Sequence, residues 1–140
     1  PELRARFRTF MDACELDLGH AFAFLAVEAA YSHGTEWLEQ CLAYIQGNVD
    51  YMDEYLKANA PKIKVIRPQA SYLVWLDCRD MNLSCEALND FFVNKAHLAL
   101  NDGAMFGKEG EGFMRLNVAS PRSVLEKAMK QLAEAYAQTI

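Results

Sequence analysis

Apolar positions recur every three or four residues through the first sixty residues and every second residue in stretches after that, so the pattern predicts helices first and a mixed sheet-and-helix part second. Leu3, Phe7, Phe10 and Met11 make a helical stripe within residues 1–15, and Gly19-His20 breaks it. Residues 21–31 are nearly all apolar, which predicts a helix buried on most sides. Gly34 punctuates, and Thr35 is expected to cap a third helix. Its stripe runs through Trp37, Cys41, Ile45, Val49, Met52 and Leu56. Twenty-odd residues span roughly 30–36 Å, long enough to bridge two bodies. Gly47 is expected to interrupt this helix, at about 1 kcal/mol against Ala. Pro61 bars its continuation.

The second half alternates. Residues 63–66 and 71–78 read as strands parted by a turn at Pro68. Leu73, Trp75 and Asp77 fall on one face of the second strand; Tyr72, Val74, Leu76 and Cys78 fall on the other. Ser84 is expected to cap a helix carrying Leu88, Phe91 and Phe92 and running to about His97. Residues 98–101 and 113–118 read as two more strands around a glycine-rich loop, Gly103 to Gly112. The last helix is expected to open with a capping box, Ser123-x-x-Glu126, and to bury Leu125, Met129, Leu132 and Tyr136. The predicted class is α+β (α/β in the wider sense): three helices, the third a long linking one, then a small β-β-α-β-β-α unit. Residues 1–59 and 60–140 are the expected parts. The first helices are too apolar to stand in water without a partner surface.

Composition narrows the picture. The chain has 140 residues, 52% of them hydrophobic, which excludes global disorder. A net charge of −5 argues against a nucleic-acid surface. No run approaches the roughly 20 apolar residues of a membrane span. Pro1 is followed at once by charged residues, which is unlike a secretory leader, and the lack of an initiator Met leads us to expect an upstream part. Cys14, Cys41, Cys78 and Cys85 form no C-x-x-C pair, as expected of a reduced, cytoplasmic protein. His20, His33 and His97 are scattered, so no metal site is expected.

Candidate chemistry is sparse. Gly103–Gly112 precedes a strand rather than a helix and carries Glu109 and Glu111, so it reads as a pocket rim and not as a phosphate cradle. Lys108 reads as a solvated lysine, because a Schiff-base lysine needs desolvation. Asp77 and Asp80 flank Arg79 and read as charged loop ends. Arg122, at the last helix start, reads as structural. Arg115 stands apart. In a strand it is either half of an ion pair with Asp77 or Asp102, or a carboxylate clamp whose planar fork fits two oxygens at once.

Three segments bring in a family: residues 1–7 (PELRARF), residues 28–39 (EAAYSHGTEWLE) with Gly47-Asn48, and residues 106–121 (FGKEGEGFMRLNVASP). With the strand of residues 70–77 they resemble the C-terminal portion of fold-type I pyridoxal-phosphate enzymes, in the cystathionine β-lyase/aminotransferase group that includes the cystalysin-like C–S lyases. The resemblance covers essentially the whole chain. It implies that Arg115 holds the α-carboxylate of an amino-acid substrate, orienting the bond to be broken at Cα. It implies pyridoxal phosphate as cofactor, which supplies the electron sink. It also implies that the Schiff-base lysine and most cofactor-binding groups lie upstream, so no catalytic, cofactor-binding or metal-binding residue is expected here. The implied whole is a homodimeric C–S lyase or aminotransferase, and this part of it is expected to be inactive alone. A non-catalytic α+β carboxylate-binding or interaction domain is the alternative.

Overall fold

The computed structural model describes residues 1–16 and 19–139. Helix α1 spans Glu2–Ala13, α2 Ala21–His33 and α3 Thr35–Asn59. Strands β1 (Lys64–Ile66) and β2 (Leu73–Asp77) follow, then helix α4 (Cys85–Asp90), strands β3 (Asn101–Asp102) and β4 (Phe113–Asn117), and helix α5 (Arg122–Thr139). The chain divides into two compact units, Pro1–Cys41 and Leu42–Ile140, with the division inside α3.

In the first unit α1 and α2 form where the periodicity predicts. His20 caps α2, its Nδ1 accepting from the Phe22 amide at 3.2 Å. The expected burial of residues 21–31 is not met in this chain: Phe22 is 72% exposed and Tyr31 88%. Apolar composition states a preference for a dry neighbour and cannot supply one. Thr35 is the first helical residue of α3 rather than its cap.

The second unit is a four-stranded antiparallel sheet in the order β1-β2-β4-β3. Period-two alternation places Val74, Leu76 and Cys78 of the β2 stretch beside Met114, Leu116 and Val118 of the β4 stretch, all buried. They pack in one cluster with Val49, Met52 and Leu56 of α3, Leu88 of α4, Phe91 and Phe92 beyond it, and Leu125, Met129, Leu132 and Tyr136 of α5. The predicted stripe of α5 is thus buried throughout. That of α3 is buried from Val49 onward, whereas Trp37 is 70% exposed.

Three further expectations are corrected. Gly47 does not interrupt α3, which runs through it for 25 residues. A Cβ there would lie 3.4 Å from a terminal nitrogen of Arg122, so the glycine leaves room for that guanidinium. Ser123 is not a cap, because α5 already begins at Arg122. The amide of Arg122 donates to the Tyr44 hydroxyl at 2.6 Å, which satisfies an orphan donor of the first turn and lets the helix start early. Finally, the helix capped by Ser84 stops short of His97: after Asp90 it widens into a π-type turn, Phe91–Lys95. His97 then takes a left-handed φ of 55°. The Ser84 cap itself forms, its Oγ accepting from the Ala87 amide at 3.2 Å.

Candidate functional site

The sheet face opposite the core carries the candidate chemistry. Register sets Arg115 of β4 between Trp75 of β2 and Asn101 of β3. Trp75 meets Phe106 and Phe113 edge-on, with ring centroids 5.6 and 5.9 Å apart. These three rings, with Ile66, Glu109 and Gly110, line a cavity of about 340 Å³. The glycine-rich segment folds into two short 3₁₀ turns, Gly103–Phe106 and Lys108–Gly110, and gives the cavity its rim. Gly103 is a close-approach position: a Cβ there would meet the Gly110 carbonyl, and would lie 2.7 Å from the Phe113 carbonyl and 2.9 Å from the Trp75 ring. Gly112 sits at φ +80°, a conformation that L side chains rarely adopt.

Arg115 is half-buried beside this cavity wall. One terminal nitrogen donates to Asn101 Oδ1 at 2.9 Å, and the guanidinium carbon lies 4.5 Å from the centroid of the Phe106 ring. Its Nε is buried and has no hydrogen-bond partner. Among the described residues no carboxylate pairs with it. The two acids that could have done so are engaged elsewhere. Asp77 accepts from Arg79 Nε at 2.9 Å and from a terminal nitrogen at 2.7 Å. Asp102 turns to the Ala104 amide at 2.9 Å, capping the first rim turn. The structural ion-pair reading of Arg115 is therefore not realised. A permanently charged fork that no carboxylate neutralises can take an anion at its terminal nitrogens, and a carboxylate matches its plane.

The neighbouring charges are structural. Arg79 lies over Phe113 at 4.7 Å while it holds the Asp77 carboxyl below the ordinary carboxylate range. Lys64 pairs with Asp80 at 2.6 Å. Arg122 donates from Nε to Asn48 at 2.8 Å and lies over the Tyr51 ring at 4.7 Å, in keeping with the structural reading. Burial pushes the Cys78 thiol up to about 12, with the Asp77 charge adding to it. Among the described residues no three His, Cys, Asp or Glu side chains are placed to hold a metal ion, and no helix is long and apolar enough to cross a membrane.

Asn101, Phe106 and Trp75 were not singled out in the sequence as members of the site. Trp75 could have been found, since it shares its strand face with Asp77 and not with the core. The choice of Asn101 over Asp102 depends on the register of a two-residue strand, which no local signal fixes.

Residues 19–132 match the family model described as aminotransferase class I and II, and the chain belongs to that family. It is 36% identical over 132 residues to the cystathionine beta-lyase PatB of Bacillus subtilis, covering 94% of this chain and 34% of that protein. It is 37% identical over 113 residues to the protein MalY of Escherichia coli, covering 81% of this chain and 29% of that one. The crystal structure of cystalysin from Treponema denticola, which contains pyridoxal 5′-phosphate, superposes with a TM-score of 0.85 at 28% identity, over 99% of this chain and 35% of that chain. The chain spans about a third of the length of the curated relatives it matches. Pyridoxal phosphate is the cofactor of the family's solved members. The side chains present do not fit that group itself, which needs a desolvated lysine. Among the described residues no lysine is buried, and Lys57 and Lys64 are each tied to an aspartate.

Proposed function

We propose that the chain is part of a pyridoxal-phosphate-dependent C–S lyase or aminotransferase and supplies the clamp for the α-carboxylate of its amino-acid substrate. The observation that carries this reading is the Arg115 guanidinium, which has a buried Nε without a partner, no carboxylate paired with it, and a stacked contact with Phe106, one of the rings that line an apolar cavity. A rigid two-point grip fixes the substrate in rotation, so its reacting carbon is presented in one orientation. The aromatic wall of Trp75, Phe106 and Phe113 lowers the local dielectric and strengthens that grip. β-Elimination is the preferred reaction, because a cystathionine beta-lyase and the cystalysin structure stand among the relatives.

In this reading residues 1–59 close the large domain and form the interdomain helix, and residues 60–140 form the small domain. The cofactor and its lysine are held by polypeptide outside these 140 residues. The chain alone does not turn over, and the whole enzyme is a cytoplasmic homodimer. The test uses the longest natural polypeptide that contains this chain, loaded with pyridoxal phosphate. Release of pyruvate, ammonia and a thiol from L-cystathionine supports the lyase. Conversion of a keto-acid acceptor to its amino acid without thiol release supports the aminotransferase. Failure of both with a range of amino acids would remove the reading.

A further inference from the structure

We infer that Asn101 is a positioning residue for Arg115, and that its neutrality is what keeps the guanidinium available to an anionic guest. The inference rests on the carboxylate reading of Arg115 and adds a residue and a reason to it.

Asn101 and Arg115 are cross-strand partners on β3 and β4, so the backbone ladder sets their side chains next to each other. The Asn101 amide oxygen accepts from one terminal nitrogen of the guanidinium at 2.9 Å. The other end of that amide is turned away, its Nδ2 lying 3.8 Å from the Met105 sulfur, which sets which atom faces the arginine. The ring of Phe106 supports the face of the fork at 4.5 Å. Two contacts thus fix its plane without supplying negative charge.

The carboxylates of the adjoining strands, Asp77 and Asp102, are both diverted from this place. Asp77 is held by Arg79, and Asp102, the very next residue after Asn101, caps the rim turn at Ala104. An aspartate in place of Asn101 would make a shorter, charge-assisted bond to the same nitrogen and largely neutralise the fork. An incoming carboxylate would then have to displace it or accept a repelled position beside it. The amide gives the same geometric support and leaves the charge intact. The unpartnered Nε is the group that then reports on the guest.

The test follows the Arg115 Nε–H resonance of the longest natural polypeptide that contains this chain, ¹⁵N-labelled and loaded with pyridoxal phosphate, assigned by its loss in Arg115→Lys, during titration with acetate. The wild-type resonance is expected to move saturably. In Asn101→Asp the apparent affinity is expected to fall at least tenfold. In Asn101→Ala, which keeps the charge and loses the support, it is expected to fall severalfold, with a broadened resonance. The backbone amide spectrum checks that each variant is folded, and should the aspartate variant fail, Asn101→Ala carries the test alone. Wild-type affinity in either variant overturns the role of Asn101 and leaves the Arg115 reading standing. A wild-type resonance that acetate does not move removes the Arg115 reading itself, and the inference with it.

Discussion

The Nε–H of Arg122 donates to Asn48 Oδ1 at 2.8 Å, and the Nδ2 of the same asparagine donates to the carbonyls of Val118 and Ser120 at 2.9 and 3.0 Å. One buried amide therefore joins α3 to the segment that leaves β4 and enters α5. That segment begins three residues after Arg115, so the junction also anchors the strand that carries the candidate clamp.

Asn48→Ala would leave two carbonyls and a guanidinium short of partners in a buried place. A group left dry costs about 1–3 kcal/mol, and the Ser120 carbonyl and the Arg122 guanidinium are only part-buried and can turn to water, so a total loss of about 2–4 kcal/mol is expected. Urea unfolding followed by circular dichroism checks it. A loss below about 1 kcal/mol would mean that water satisfies these groups.

The acid dependence of stability has a definite sign. Hydrogen bonds from Arg67 and then Gln46 hold Asp50 below its ordinary value, and Arg79 does the same at Asp77. At Asp53 burial pushes upward, and the bonds from Lys57 and Arg67 outweigh it. A carboxyl whose folded value is lowered stabilises the fold fully above its unfolded value, about 3.9, and loses that contribution as pH falls through the folded value. Arg67→Met should therefore destabilise the chain most above about pH 5, with the difference from wild type shrinking as pH falls toward about 2. A difference that does not vary with pH would contradict this.

The rim turns depend on a missing side chain at Gly103. Gly103→Ala forces a methyl group against two carbonyls and the Trp75 ring, and a loss of about 1–3 kcal/mol is expected. Gly47→Ala is the contrast. Its new methyl meets only the end of the flexible Arg122 side chain, and a better helix former replaces glycine, so stability should stay within about 1 kcal/mol. Thermal melts of the two variants distinguish the cases.

All four cysteines are free. Cys14 is exposed, Cys41 and Cys85 are half-buried, and Cys78 is buried with its thiol pushed up to about 12. Only the thiolate attacks, so an aromatic disulfide reagent near pH 8 should label Cys14 first and Cys78 only on unfolding. Labelling of Cys78 at the rate of Cys14 would contradict its burial.

What could be read from the sequence was whatever local periodicity determines. The α5 stripe, the two faces of β2, the Ser84 cap and the order β-β-α-β-β-α each follow from spacing within a dozen residues. What could not be read was set by distant partners. The start of α5 is decided by Tyr44, 78 positions away, and Gly47 passes unnoticed within α3 because Arg122 fills its space. Arg115 stood out as a cation in a strand. Its orienting neighbour did not, because nothing local says whether Asn101 or Asp102 faces it. The apolar faces of α2 were equally visible, and their exposure was not, because composition states a preference for a dry neighbour and does not supply one.

The central claim is that Arg115 grips the substrate's carboxylate through two parallel bonds. Steady-state kinetics of Arg115→Lys in the full-length enzyme tests it most directly, since lysine keeps the charge and loses the fork. The account predicts that KM for the amino-acid substrate rises at least about tenfold, equivalent to about 1.4 kcal/mol of lost binding. A KM equal to that of the wild type, with the variant folded and cofactor-loaded, would contradict it.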